Sequence, residues 1–236
     1  MNGLKTLLLA SISLPCFTGS APAQDYNIGL AAYARGDFEA AIAEWLPLAK
    51  LGEPNAQYKL GKMYRQGQGV SQDYLEALRW FILASEQGEP NAQTDLGTMY
   101  HSGEGVPQDY TEAAHWLLLA AEQGQPDAQY NLSILYRLGQ GVPMDFAEAL
   151  RWNILAAEQG QPDAQFNIGV MYYKGEGVPQ DFIISHMWLN LAAASGKQSA
   201  ISGRDLVSND MTADQIAEAQ SLARECLAQD YKNCGR

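Results

Sequence analysis

The fold is decided by residues 56–88, which read AQYKLGKMYRQGQGVSQDYLEALRWFILASEQG, because the pattern of this stretch returns every 36 residues. Four residue types mark the period. They are Trp80, Trp116, Trp152 and Trp188; Tyr64, Tyr100, Tyr136 and Tyr172; Asp73, Asp109, Asp145 and Asp181; and Gly52, Gly88, Gly124, Gly160 and Gly196. A fixed period between about 20 and 50 residues indicates a solenoid, in which each unit buries its apolar face by stacking on its neighbours.

Each unit begins with one helical pattern. Ala56, Leu60 and Tyr64 recur at helical spacing with Met63 beside them, which predicts a single apolar stripe. The glycine-rich loop that starts at Gly67 should end this helix, because glycine adopts the left-handed conformation of a helix C-cap without a Cβ clash.

A second helix is predicted after the loop. Asp73 is placed to cap it and Glu76 to complete a capping box, and the pattern returns at the next two units. The returning pairs are Asp109 with Glu112 and Asp145 with Glu148. The apolar stripe of the second helix is predicted to be Tyr74, Ala77, Trp80 and Ala84, with Trp80 filling the space between units.

The complete motif is Ala56-x-x-x-Leu60-Gly61-x-x-Tyr64-x-x-Gly67-x-Gly69-Val70-x-x-Asp73, then Ala77-x-x-Trp80-x-x-x-Ala84-x-x-x-Gly88. This motif resembles the Sel1-like repeat. The resemblance implies an all-α fold, a right-handed α/α superhelical solenoid related to tetratricopeptide repeats. Four full units are predicted over residues 55–198, from Asn55 to Pro90, Asn91 to Pro126, Asp127 to Pro162 and Asp163 to Gln198.

The segments on either side of the repeats are interpreted as caps. Residues 24–54 resemble a tetratricopeptide-type helix pair, with Trp45 near the repeat tryptophan position. Residues 199–236 are predicted to form capping helices and a tail, and Thr212 with Gln215 forms a capping box. The apolar face of the last helix is Ile216, Ala219, Ala223, Cys226 and Leu227. We expect it to pack on unit four, where Ile184 replaces the repeated glutamate.

Residues 1–23 read as a secretory signal peptide. Lys5 precedes a short apolar run, and the small residues Ala21 and Ala23 form an A-x-A cleavage site before Gln24. The alternative is a lipoprotein anchored at Cys16, although Pro15 stands where a lipidation site requires a small residue. We expect cleavage after Ala23, a periplasmic or secreted protein, and no membrane insertion once the signal is removed.

The charge of the chain restricts its partners. Removal of Lys5 with the signal leaves 14 basic against 27 acidic residues, a net charge of −13. Such a surface repels the phosphates of nucleic acids and anionic lipids, so nucleic acid is not an expected partner. We expect a monomer that binds a protein or peptide.

Two cysteines remain after cleavage, Cys226 and Cys234. An oxidising compartment favours a disulfide between them, which would close a short C-terminal loop. The alternative is a free Cys226 buried on a helix face.

No group of residues with catalytic chemistry stands out. His101, His115 and His186 fall on different repeat positions, and the neighbours Ser185 and His186 point about 100° apart on a helix. The repeated acids are accounted for as helix caps, and no Cys-x-x-Cys is present. We therefore predict no catalytic residue, no cofactor and no metal.

The partner-binding site is predicted on the concave face, which the first helix of each pair lines in such solenoids. Positions 59, 62 and 65 share one helix face and vary between units. We call these twelve residues the ridge. They are Lys59, Lys62, Arg65; Asp95, Thr98, His101; Asn131, Ile134, Arg137; and Asn167, Val170, Tyr173. The ridge passes from a basic end to an apolar, asparagine-bearing end. The alternative is a merely solvated surface.

The predicted function is an exported interaction module without catalytic activity. The resemblance implies an adaptor, regulator or scaffold in the bacterial envelope. Two alternatives remain, a cell-wall-active or β-lactam-binding enzyme of the secreted Sel1-like type and a secreted effector. The cysteine pair in each repeat that marks the enzyme-like members is absent from this sequence.

Overall fold

A computed structural model describes residues 25–232 and residue 234, so the predicted signal peptide lies outside the described residues. The described chain contains twelve α-helices and no strand. The helices are α1 (Tyr26–Ala34), α2 (Phe38–Lys50), α3 (Pro54–Gln66), α4 (Tyr74–Glu86), α5 (Pro90–Ser102), α6 (Tyr110–Glu122), α7 (Pro126–Leu138), α8 (Phe146–Ala157), α9 (Pro162–Lys174), α10 (Phe182–Ala194), α11 (Gln198–Ser208) and α12 (Ala213–Ala228).

Consecutive helices from α1 to α11 pack against each other and α12 packs on α10, so the fold is an α/α solenoid of helix pairs. Helices α3, α5, α7 and α9 are the first helices of the four repeats, and α4, α6, α8 and α10 are the second. The core is divided into clusters at the unit boundaries. One of them joins Phe81 and Ala84 of α4 to Leu96 and Met99 of α5.

The turn between the two helices of a unit has the predicted form. Gly67 takes the left-handed conformation, with φ 67°, and ends α3. Asp73 then caps α4 by accepting hydrogen bonds from the backbone N–H groups of Leu75 and Glu76. The predicted capping boxes with Glu76, Glu112 and Glu148 are wrong. The backbone N–H of each capping aspartate instead donates to the carbonyl of a repeat tyrosine, as Asp73 does to Tyr64 at 2.9 Å, and Glu76 pairs with Arg79 at 3.0 Å.

The predicted stripe of the second helix also needs correction. Tyr74 is exposed and Trp80 is half-buried, whereas Phe81 is completely buried. The reason lies in the facing helix, where Gly61 allows the Phe81 ring to approach so closely that a Cβ would lie 2.6 Å from it. Trp80 packs instead against the preceding cluster, around Leu60 and Met63, so its position between units is retained.

Unit three departs from this pairing of glycine with a large apolar residue. Ser133 stands at the glycine position and Asn153 at the position of Phe81, and both are buried. The Ser133 hydroxyl lies within hydrogen-bond distance of two acceptors, Asn153 Oδ1 at 2.9 Å and the carbonyl of Tyr130 at 2.6 Å, and Asn153 Nδ2 contacts the sulfur of Met171 at 3.7 Å. A hydrogen bond of this length is shorter than a carbon–carbon contact, so a polar pair fits where two apolar groups would not.

Buried glutamines connect one unit to the next. Gln57 Nε2 donates to the carbonyl of Ala49 in the preceding helix at 3.0 Å, and Gln57 Oε1 accepts from Gln87 at 2.7 Å. Gln93 and Gln129 repeat both bonds in the following units. These bonds satisfy carbonyl groups at the ends of the second helices, which the helices leave without partners.

Helices α2 and α12 cover the two ends of the solenoid with apolar side chains. Trp45 of α2 is completely buried, and its indole N–H donates to the carbonyl of Tyr26 at 3.1 Å. At the other end α12 packs on α10, and Ala223 and Cys226 join a cluster that includes Ile184. The prediction for Leu227 is wrong, since its side chain is 43% exposed.

The C-terminal tail folds back onto the last repeats. A disulfide joins Cys226 to Cys234, with Cα atoms 5.2 Å apart. Asp230 and Tyr231 both take positive φ angles, which turns the chain, and Tyr231 packs beside Gly160 and the core cluster of units three and four.

Candidate functional site

The ridge lies on the first helices, and all twelve of its side chains are half-buried. None of them belongs to the buried core clusters. The structure therefore places them on one face of the solenoid, where they are not required to fill the space between units.

Several ridge residues nevertheless make contacts within the chain. Arg65 binds Glu104 of the next loop through Nε at 3.1 Å and Nη2 at 2.6 Å, and Asp95 through Nη1 at 3.0 Å. Burial raises the pKa of the Asp95 carboxyl, although Arg65 and Lys62 act in the opposite direction. The guanidinium of Arg65 is thus already neutralised by two carboxylates.

The same position also contacts the following segment in units two and four. His101 Nε2 lies 3.2 Å from Gln140 Oε1, and the Tyr173 hydroxyl donates to Asp210 at 3.3 Å. Arg137 and Glu176 occupy the corresponding positions, yet Arg137 Nε and Glu176 Oε2 are buried without a hydrogen-bond partner among the described residues. We call the contacts of Arg65 with Glu104, His101 with Gln140 and Tyr173 with Asp210 the latches. In the first two the partner lies in a loop 39 residues later, and Asp210 lies 37 residues after Tyr173.

The two lysines of the ridge are free of such pairing. Lys59 Nζ lies 5.7 Å from the ring centre of Tyr58 and 5.9 Å from that of Tyr33, and Lys62 Nζ lies 5.7 Å from the Tyr58 ring. Within residues 25–232 neither ammonium group forms a salt bridge. Burial, and then the charge of Lys62, lower the pKa of Lys59. The two lysines form a concentrated positive site on an acidic protein.

The centre of the ridge borders an open groove of about 390 Å³ between α3, α5, α7 and α9. Sequence analysis missed several of the residues that line it, namely Thr94, Asp127, Tyr130, Gln161 and Asp163. Gln161 is the N-cap of α9, and each of the other four stands four residues before a ridge position, so helical spacing places it beside the ridge. A smaller pocket of about 50 Å³ lies beside Thr98, Asn131 and Ile134.

The histidines lie in three separate surroundings. His101 packs on Tyr110, His115 packs on Trp116, and His186 is buried with Nδ1 unpaired. The neighbouring Ser185 hydroxyl donates to the carbonyl of Gly169 at 2.7 Å rather than to His186. In the described part of the chain, no three His, Cys, Asp or Glu side chains are grouped as metal ligands.

Between residues 25 and 232, no helix is both long enough and apolar enough to cross the hydrocarbon core of a bilayer.

The stacked helix pairs identify this protein as an α/α solenoid. A model of the Sel1 repeat matches the chain four times, at residues 54–89, 90–125, 126–161 and 162–197. The protein therefore belongs to the Sel1 repeat family, and the matched units begin one residue before the predicted ones. Repeats of this family generally mediate protein–protein interaction, and their fold is typically a non-enzymatic scaffold.

Solved structures support the same assignment. A protective antigen of uropathogenic Escherichia coli with an SLR fold is 27% identical, with a TM-score of 0.80. The alignment covers 87% of this chain and 46% of the antigen, so this chain spans about half of that protein. A Sel1 repeat protein from Oxalobacter formigenes is 29% identical, with a TM-score of 0.68 and coverage of 86% and 75%.

An immunity protein of Pseudomonas aeruginosa shares the fold at 20% identity, with a TM-score of 0.52 and coverage of 92% and 87%. Comparison with curated proteins gave no match.

Proposed function

We propose that this protein is exported, and that it acts in the bacterial envelope as a non-catalytic adaptor, regulator or scaffold. Its partner is a protein or peptide segment that lies along the ridge. The observation that carries the proposal is the set of ridge side chains that are half-buried, lie outside the core clusters and remain free of ion pairs, above all Lys59 and Lys62.

Site-specific photo-crosslinking in intact cells tests the binding face. A photoreactive amino acid at Asn131 reports from the ridge, and one at Arg79 reports from an exposed position on a second helix. We expect a discrete crosslinked partner from position 131 and none from position 79. Equal crosslinking from both positions, or from position 79 alone, would place recognition on another face.

Export is tested by the intact mass of the protein recovered from the envelope. We expect a chain that begins at Gln24, because the A-x-A pattern ends at Ala23. A lipid-modified chain that begins at Cys16 would contradict cleavage after Ala23 and would mean that the protein is anchored to a membrane.

A further inference from the structure

The C-terminal end of α7 carries an apolar surface that the other units lack. Ile134 and Leu138 are four residues apart on one face of the helix, and Met144 lies beside its end, since a Cβ at Gly139 would be 3.2 Å from the Met144 Cβ. Leu138 is 53% exposed and Met144 is 63% exposed. We call these three residues the apolar rim.

The same three positions are more polar in every other repeat. They are Lys62, Gln66 and Gln72 in unit one, Thr98, Ser102 and Gln108 in unit two, and Val170, Lys174 and Gln180 in unit four. The glutamines of the last position donate to the carbonyls of Arg65, His101 and Tyr173 at 2.9, 2.7 and 2.6 Å. Met144 has no amide donor and does not form this bond. The loop of unit three therefore lacks one hydrogen bond that stabilises the same loop in the other units.

The other feature on this face is the lysine pair, Lys59 and Lys62, at the unit-one end of the ridge. Neither ammonium group forms a salt bridge within residues 25–232, although Asp95 acts on Lys62 and Glu89 on Lys59 from a greater distance. A carboxylate from a partner can therefore approach both groups directly. Burial of an exposed apolar surface under a large apolar side chain is likewise favourable. One partner segment that contacts both surfaces therefore carries an acidic residue and an apolar residue.

The geometry of the solenoid sets the distance between these two residues. The lysine pair lies on α3 and the apolar rim on α7, with α5 between them. Arg65 of α3 binds Asp95 of α5 at 3.0 Å, and α5 contacts α7. Packed helices lie about 8–10 Å apart, so the two surfaces are separated by about 20 Å. An extended chain advances about 3.3 Å per residue, which makes this distance about six residues.

We propose that the partner contributes an extended segment with an acidic residue over Lys59 and Lys62 and a large apolar residue, about six positions away, on the apolar rim. This inference rests on the proposed function, because it specifies the ligand of the same face.

The test uses fluorescent peptides in a Gly-Ser host that carry two aspartates and one phenylalanine at separations of about two, six and twelve residues. We expect the peptide with a separation of about six residues to bind most tightly by fluorescence anisotropy, roughly tenfold tighter than the others. Affinity that is independent of the separation, or an absence of binding by all three peptides, overturns the inference. Crosslinking from position 131 reports on the proposed function separately.

Matched variants assign the two contacts. Leu138→Gln with Met144→Gln restores residues of unit one and should reduce binding of the best peptide about tenfold, mainly through faster dissociation. Lys59→Gln with Lys62→Gln should slow association and weaken its salt dependence. Leu75→Gln, at a 61% exposed leucine on α4, is the control and should leave affinity unchanged. If the control loses as much affinity as the rim variant, or if the rim variant loses none, the apolar rim is not the contact.

Discussion

The polar pair of Ser133 and Asn153 shows how a single residue type is set by the residue that faces it. In the other repeats, and in the N-terminal cap, a glycine faces a large side chain, as Gly97 faces Leu117 and Gly169 faces Leu189. A Cβ at those glycines would lie 2.7 and 2.6 Å from the leucine Cγ atoms. Serine fits in unit three because Asn153 Oδ1 accepts a hydrogen bond from a hydroxyl that is also bonded to the carbonyl of Tyr130.

A double-mutant cycle at this pair should therefore show strong coupling. Asn153→Leu alone should destabilise by about 1–3 kcal/mol, because the leucine overlaps with Ser133. Ser133→Gly alone should cost a similar amount, since it leaves the buried Asn153 carbonyl without its donor. The double variant recreates the pairing of the other units and should be at least as stable as the natural protein. Urea unfolding of the four proteins measures the coupling, and additive losses would contradict this account.

His186 gives a second prediction at the scale of one residue. It stands where Leu78 and Leu150 stand in other units, its side chain is 1% exposed, and Nδ1 has no partner. Burial, and then the charge of Arg204, lower its pKa below the ordinary 6.5, whereas Asp205 acts in the opposite direction. The unfolded chain therefore takes up the proton more readily, so the contribution of His186 to stability is complete above pH 6.5 and is lost as the pH falls below it.

His186→Leu should remove two destabilising effects, the buried Nδ1 without a partner and the uptake of a proton by the unfolded histidine in acid. We expect the free energy of unfolding to rise by about 1–2 kcal/mol at neutral pH, and by more in acid, where protonation of the unfolded histidine no longer competes. His115→Leu, at an exposed histidine, is the control and should change the pH dependence little. A His186→Leu protein that loses stability in acid as steeply as the natural protein would show that another group causes the dependence.

At the scale of helices, the sequence predicted where the elements begin and end better than which face each one buries. Glycines and capping aspartates act locally, so Gly67 and Asp73 mark real boundaries. The choice between Trp80 and Phe81 as the buried residue depends on Gly61 in another helix, which helical periodicity within α4 does not report. Because the apolar stripe of a helix is broad, two adjacent residues such as Trp80 and Phe81 can both lie within it.

The tail after α12 provides a prediction at the same scale. Cys226 is buried in the last core cluster, and Cys234 and Tyr231 pack against that cluster. We expect a disulfide in the exported protein, so thiol titration of unreduced, denatured protein should find no reactive cysteine; two reactive thiols would contradict it. Cys234→Ser should destabilise by no more than about 2–3 kcal/mol, because the closed loop is short.

For the whole molecule, the position of the ridge followed from the repeat, but the roles of its residues did not. A pattern of 36 residues predicts that positions 59, 62 and 65 share a face. It does not predict that Arg65 is held by Glu104, because that contact joins two different units. The basic end predicted from three residues is thus reduced to the lysine pair. A charge reversal at Arg65 would break its latch with Glu104 as well as change the proposed binding surface.

The repeat tryptophans offer the last prediction, on the cooperativity of the solenoid. Trp152 is 5% exposed within the cluster at the boundary of units two and three, whereas Trp116 is half-buried beside the preceding cluster. Trp152→Ala should cost about 3–5 kcal/mol through loss of contacts and a residual cavity, and Trp116→Ala distinctly less. Because the stability of a solenoid is a sum over neighbouring units, we expect Trp152→Ala to separate the unfolding of the two halves. Circular dichroism and tryptophan fluorescence in urea should then give different transitions for this variant and coincident ones for the natural protein. Coincident transitions with a loss below about 1 kcal/mol would mean that the boundary of units two and three is held by the latches and glutamine bonds rather than by its apolar core.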